Sequence, residues 1–298
     1  VAVGHSAGAA VSTGTNNTLI GGLAGDAINT GSGNTLLGSG AGGAETTGAN
    51  NVIIGQAGQA QTLTNDTVAI GDGALQTNTK SAKNTAIGRS ALRVLNHTTA
   101  TNGYNVAVGF NAGIAMTTGL SNTLIGGLAG DANTAGGDLV AVGYQALTTF
   151  NRTSGAAKVV GIGNQAFYSL TTGTQSTAVG HQAGYSQVDV NNSAYFGYRA
   201  GYESTGAENT IIGAEAGDAL TDADRNVAVG WRALSTDRKG DRSVAIGTYA
   251  LFSQDFSGVT TTENTAVGYE AGSANTTGTS NTYLGYFSGN FTNTGEAN

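Results

Sequence analysis

Apolar residues along this chain fall in short clusters, each closed by a glycine, and the clusters return at a nearly constant distance. The closing glycines are Gly4, Gly21, Gly38, Gly55, Gly71, Gly88, Gly109, Gly126, Gly143, Gly163, Gly180, Gly197, Gly213, Gly230, Gly247, Gly268 and Gly285. Of the sixteen intervals between them, eleven are 17 residues, two are 16, and three are 20 or 21. Such self-similarity marks a solenoid, in which each repeat is one coil that buries its apolar face only against its neighbours. The unit reads Asn-Thr-x-Ile-Gly-x-x-Ala-Gly followed by about eight turn residues. With its positions numbered 1 to 17 and the glycine at 5, the first five residues predict a strand and the rest a series of turns. The predicted fold is all-β, a parallel β-solenoid or β-roll of about seventeen 17-residue coils.

Side chains alternate faces along a strand, so positions 2 and 4 point one way and position 3 the other. Position 4 is apolar in every coil, from Val3, Ile20, Leu37 and Ile54 to Val267 and Leu284. Position 8 is Ala except where Gly58 and Ser288 stand. These two columns are expected to line the inside of the coil. Position 3 then faces outward, yet no coil places a charge there. A strand apolar on both faces is buried on both, so position 3 is expected to pack against identical chains. The expected oligomer interface is Leu19, Leu36, Ile53, Leu124, Ala141, Tyr195, Ile211 and Tyr283. On this assignment Ile125→Asp disrupts the coil, whereas Ala141→Glu only blocks association.

Bulk is shared between positions. Where position 9 is Leu or Phe (Leu75, Leu92, Leu147, Phe167, Leu234, Leu251), position 3 is Ala or Gly. Where position 3 is Leu or Ile, position 9 is Gly25, Gly42, Gly130 or Gly217, and once Gln59. Where both are small, position 6 carries a ring (His5, Phe110, His181, Tyr269). Each layer is therefore expected to hold one bulky group, as close packing at constant volume requires. The ring layers divide the single array 1–298 into blocks of about 1–104, 105–175, 176–263 and 264–298, and it begins and ends in mid-repeat. Asn at position 1, as in Asn17, Asn34, Asn105 and Asn226, is expected to form an amide ladder at a left-handed corner. At roughly 4.8 Å per coil the array would be a rod on the order of 80 Å long.

Composition narrows the function. The chain has 298 residues with 49 Gly, no Pro, no Cys and a net charge of -7. Proline would remove a ladder hydrogen bond in an internal strand, and its absence fits the fold. No basic stripe exists to neutralise phosphates, which argues against nucleic acid. Without Cys there are no disulfides or thiolate metal sites. No apolar stretch approaches the roughly 18 residues of a membrane span, so no membrane insertion is expected in this segment.

The stretches Asn105-Val-Ala-Val-Gly109-Phe-Asn-Ala112-Gly and Asn264-Thr-Ala-Val-Gly268-Tyr-Glu-Ala271-Gly resemble the head repeats of YadA-like trimeric autotransporter adhesins. They are still more similar to repeats of phage tail fibres and large bacterial surface proteins. The likeness spans essentially the whole chain, although YadA-like heads keep a shorter period. It implies a left-handed β-roll wound as a homotrimer, located extracellularly on a cell surface or virion tail. The expected function is a structural fibre segment, shaft or head, that displays or mediates attachment to a surface. The expected partners are copies of the chain itself, as a homotrimer or longer filament, and a surface glycan or receptor. Two alternatives are an ice-binding β-solenoid and a depolymerase tail-spike. The first draws on Thr at position 2 in eight coils (Thr18, Thr35, Thr85, Thr123, Thr177, Thr210, Thr265, Thr282).

Nucleophilic catalysis needs a Ser or Cys beside a His with an orienting acid. The three histidines, His5, His97 and His181, are far apart, and carboxylates such as Asp72, Asp131 and Asp218 are dispersed. No catalytic, cofactor or metal residues are expected, and the chain is read as no enzyme. Gly38 to Gly42 reads Gly-Ser-Gly-Ala-Gly, but no Lys is placed to reach a phosphate. The enlarged loops, Arg93 to Tyr104, Thr148 to Lys158 and Phe252 to Glu263, are the candidate surface-binding segments. Within them Arg93, His97, Tyr104, Phe150, Arg152 and Phe256 are the expected contact residues.

Overall fold

The computed structural model describes residues 1–62 and 64–291. The end of the last block, through Asn298, lies outside the described residues. Among those described, the chain is an all-β parallel β-solenoid of about seventeen coils with no helix. It divides into two compact units, Val1–Ala157 and Lys158–Asn298.

Each coil contributes a strand of about three residues at positions 2 to 4. In the first unit Thr18–Ile20 pairs in parallel with Thr35–Leu37, and that strand with Val52–Ile54. The register places Ile20, Leu37 and Ile54 directly above one another. The second unit repeats the arrangement: Thr177–Val179 pairs with Ala194–Phe196, and Val227–Val229 with Val244–Ile246. Two of the enlarged loops add ladders of their own. Thr101–Asn102 pairs with Ser81–Ala82, and Thr260–Thr261 with Gly240–Asp241. These insertions are thus tied to the preceding coil by backbone bonds.

The inside and outside of the strand are the reverse of the expectation. Position 3 is interior: Leu19, Leu36, Ile53, Leu124, Ala141, Tyr195, Ile211 and Tyr283 are all buried within the chain's own coils, at no more than 4% exposure. None of these eight can face a sister chain. Position 4 points out, with Ile20 at 38%, Leu37 at 44%, Ile125 at 39% and Ile212 at 40% exposure. The turn beyond the strand is the cause. The glycine at 5 takes φ near +135° and the chain folds toward the side of position 3, so position 3 shares the enclosed volume with Ala at 8 and with position 9.

Close packing then explains the compensation between positions 3 and 9. A Cβ at Gly25 would lie 2.7 Å from Leu36 Cδ1 and 3.1 Å from Leu19 Cδ2. Where position 3 is Ala69 or Ala86, the room is taken by Leu75 or Leu92, both fully buried. Gln59 is no exception to the rule. The coil after Gly55 is one residue short, so Ala57 occupies column 8 and Gly58, with φ +56°, occupies column 9 beside Ile53. The rings at position 6 do not fill layers: Phe110 and Tyr269 are 49% and 43% exposed. All-small layers are filled from above and below instead. A Cβ at Gly113 would meet Leu124 Cδ1 at 2.7 Å and Leu92 Cδ2 at 3.0 Å, each from an adjoining coil.

Polar columns close the coil. The position-1 amide accepts the backbone N–H of position 1 in the next coil and donates to the carbonyl at position 15 of its own coil. Asn34 accepts from Asn51 N at 3.0 Å and donates to Gly48 O at 2.9 Å. Asn105 accepts from Asn122 N at 3.0 Å and donates to Gly119 O at 2.9 Å. The left-handed corner sits one residue earlier than expected, at Asn16, Asn50, Ser121 and Arg225 with φ of 57° to 60°. A second inward column, at position 12, has no counterpart among the sequence expectations. It mixes apolar residues (Ile28, Leu95, Met116, Leu170) with buried polar ones, several of which fold back on position 15. Asn133 accepts from Gly136 N at 3.0 Å and donates to its carbonyl at 2.9 Å, and Asn275 binds Gly278 in the same way.

Glu45 occupies this column as a fully buried carboxyl. Burial pushes its pKa up, against hydrogen bonds from Gly48 N at 2.8 Å and from the Thr64 hydroxyl at 3.2 Å. The folded chain therefore holds this proton to higher pH than the unfolded chain does. Stability must fall as pH rises from the unfolded value near 4.5 through the folded one. Glu45→Gln keeps the Gly48 bond and can donate to Thr64, whose hydroxyl turns to Gln61 Oε1 at 3.2 Å. Melting curves are expected to show a higher Tm for Glu45→Gln at pH 7, and little difference from the parent at pH 4. A lower Tm at pH 7 would contradict the assignment.

Candidate functional site

With the interior assigned, the exposed columns can be followed along each unit. The first surface is the sheet face formed by positions 2 and 4. In the first unit it runs through Thr18 and Ile20, Thr35 and Leu37, Val52 and Ile54, on to Val140 and Val142. In the second it runs from Val160 and Ile162 to Thr282 and Leu284. Neither run contains a charged residue. This face was missed in the sequence because its residues were assigned to the interior. The signal lay in the exchange of bulk between positions 3 and 9, which only a shared enclosed volume imposes.

The second surface is made by positions 6, 7 and 10. In the second unit position 10 carries Tyr168, Tyr185 and Tyr202, stacked in sequence with centroids 4.9 and 5.0 Å apart. The Arg199 guanidinium lies 4.1 Å over the Tyr202 ring. At position 6, His181 stacks on Tyr198 at 5.6 Å and Tyr269 on Tyr286 at 5.5 Å. Trp231 lies 4.8 Å from Tyr249, which meets Phe252 edge-on at 5.1 Å. Ion pairs join equivalent positions of successive coils: Arg225 with Glu208 at 2.9 Å, Arg232 with Glu215 at 2.7 Å, and Arg238 with Asp255 through two bonds of 2.8 and 2.9 Å. Exposed pairs of this kind add little to stability, but they set the orientation of the charges.

Carboxylates at position 10 are bound in the same manner. Burial pushes Asp131 up, against a 2.6 Å hydrogen bond from the Thr148 hydroxyl. Burial likewise raises Asp218, which accepts from the Ser235 hydroxyl at 2.6 Å. Asp72 is exposed and lies 3.7 Å from Arg89. The histidines do not converge. His5 is exposed with Ser6 Oγ at 3.3 Å from its Nδ1, His181 is in its stack, and His97 lies against the Thr118 carbonyl at 3.2 Å. Among the described residues no group of three or more His, Cys, Asp or Glu side chains is placed to hold a metal ion.

The enlarged loops keep only part of the expected contact set on the surface. Arg93 is exposed and donates from Nε to Gln76 Oε1 at 2.8 Å. Tyr104 is 56% exposed, with Lys83 Nζ 5.4 Å from its ring centre. Arg152 is half-buried, its carbonyl accepting from Ala135 N at 3.0 Å. The other three are not surface groups. Phe150 is fully buried in column 12 and Phe256 is 7% exposed. His97 is buried at the root of its loop. Phe150 takes its regular place in the coil interior, and burying a large apolar side chain such as Phe150 or Phe256 is favourable in itself. Set against known protein families, curated proteins and solved structures, the chain matches none.

Proposed function

We propose that this chain is a structural segment of an extracellular fibre, in which identical chains associate through the face of positions 2 and 4 and the assembly displays or attaches to a surface. The observation that carries the reading is that face: two outward columns of Thr, Val, Ile and Leu, with single Ala and Phe residues, and no charge in either unit. Contiguous apolar patches of this size are uncommon on monomers. In column 4 of the first unit Val3, Ile20, Leu37 and Ile125 are 38 to 56% exposed, and nine coil strands repeat the face. A second copy also has the matching repeat, so every coil meets an equivalent one. The likeness to YadA-like heads and tail-fibre repeats supports a left-handed homotrimer on a cell surface or virion tail. The role is mechanical rather than catalytic.

Sedimentation equilibrium and light scattering test it. The expected result is a mass that is a multiple of the chain, three for the homotrimer, and insensitive to salt because the contact is apolar. A monomer at every concentration would end the reading. One observation favours a second reading, ice binding: Thr18, Thr35, Thr85 and Thr123 are on the outward face beside column 4 rather than on a buried one. Thermal hysteresis in a freezing assay would support that reading, and its absence would dismiss it.

A further inference from the structure

We propose that positions 7 and 10 of the second unit form a binding groove for a neutral, linear oligosaccharide. The inference goes beyond the fibre reading and does not rest on it. An open groove of ≈ 420 Å³ is lined by Arg232, Tyr249, Phe252, Glu270 and Asn290 with neighbouring small residues. Its volume is in the range of small-molecule clefts, which combine apolar walls with a few placed polar groups. None of its lining residues belongs to positions 2 or 4, so association through that face leaves it open.

Both ingredients of sugar recognition are present and held in place. Tyr249 stands between Trp231 and Phe252, 4.8 and 5.1 Å from them, giving apolar ring surface at the groove. The C–H faces of a pyranose pack on such rings, whose edges remain polar. Around them, groups that pair with hydroxyls are fixed by their neighbours. Glu215 holds Arg232 through Nε at 2.7 Å. Asn290 donates to Glu270 at 3.5 Å and accepts from the Ser273 hydroxyl. Side chains ordered before binding lose less entropy on binding. The axial step of roughly 4.8 Å between coils is close to the length of one pyranose residue, so successive coils can meet successive sugars. The first unit lacks this composition: its positions 7 and 10 carry Leu23, Gly40, Leu128, Gly43 and Ile114 among others.

Charge selects a neutral ligand. Arg232 is neutralised by Glu215 and Arg238 by Asp255, Glu270 adds a negative charge, and the chain carries a net charge of -7. A polyanion would be repelled.

The chain holds one Trp, and Trp231 lies 4.8 Å from Tyr249 of the groove, so emission excited selectively from Trp reports on this site. Titration with cellohexaose, chitohexaose and maltohexaose is expected to give a saturable emission change with at least one of them. Tyr249→Ala and Glu270→Gln should weaken it at least tenfold. Arg89→Ala, an exposed residue of the first unit, should leave it unchanged. Glu270→Gln alters one partly exposed carboxylate and keeps the fold, as circular dichroism of the full chain will verify. The proposal is overturned if none of the three hexaoses changes the emission at millimolar concentration, if Glu270→Gln binds as tightly as the parent, or if only a sulfated hexasaccharide binds. A chain that sediments as a monomer yet binds a hexaose ends the association reading and leaves this one intact.

Discussion

Leu124→Asp is expected to prevent folding, whereas Ile125→Asp, one residue along, is expected to leave a folded chain that associates poorly. Leu124 is fully buried, with Gly113 of the preceding coil and Gly130 of its own coil lining its pocket. Removing its side chain alone costs about 2 to 5 kcal/mol, and an unpaired carboxylate in its place adds several more. That exceeds the 5 to 15 kcal/mol of a typical domain only in part, but a solenoid is held by nearest-neighbour contacts and loses the adjoining coils with the one disrupted. Ile125 points outward with 39% of its surface exposed, so Asp there costs the single chain about 1 kcal/mol or less. In an assembly it would set a charge in each copy of an apolar contact. Circular dichroism melts and sedimentation of the two variants separate the effects. Equal loss of folding in both would refute the assignment of inside and outside. Ala141→Glu belongs with Leu124→Asp, because Ala141 is fully buried.

A second large loss is expected from Gly180→Ala. Gly180 has φ +142° and its added Cβ would stand 2.2 Å from the Gly197 carbonyl oxygen in the next coil. A residue with a Cβ is strained there by about 1 to 3 kcal/mol before any collision. The oxygen cannot withdraw, because the same backbone carries the strand pairing of Val179 with Phe196. The expected outcome is a fall in Tm well beyond that of Gly40→Ala. Gly40 also has positive φ, +67°, but nothing lies within 4 Å of its Cβ position, and other coils place Leu23, Ser90 and Gln145 at the same corner. Similar melting temperatures for the two variants would show that the column of glycines is not set by coil-to-coil approach.

The period, the parallel strands, the glycine column, the compensation between positions 3 and 9, and the amide ladder could all be read from the residues. Each is a relation between identical positions one coil apart, and stacking repeats turns a spacing in sequence directly into a contact in space. The stack of Ile20, Leu37 and Ile54 is the plainest example. Which face of the strand is enclosed could not be read from alternation, because Leu19 and Ile20 are equally apolar. Only the turn after Gly21 decides it, by folding the chain over Leu19 and leaving Ile20 outside. The same holds for Phe256, whose burial depends on how an insertion packs on its coil, and for Tyr249, Phe252 and Glu270, which meet because positions 7 and 10 of different coils project into one groove. Residues alone determined that this chain winds into repeating coils. The direction in which each coil closes, and with it every surface offered to a partner, was decided by the tertiary structure, because enclosure is a property of the closed winding and not of any single strand.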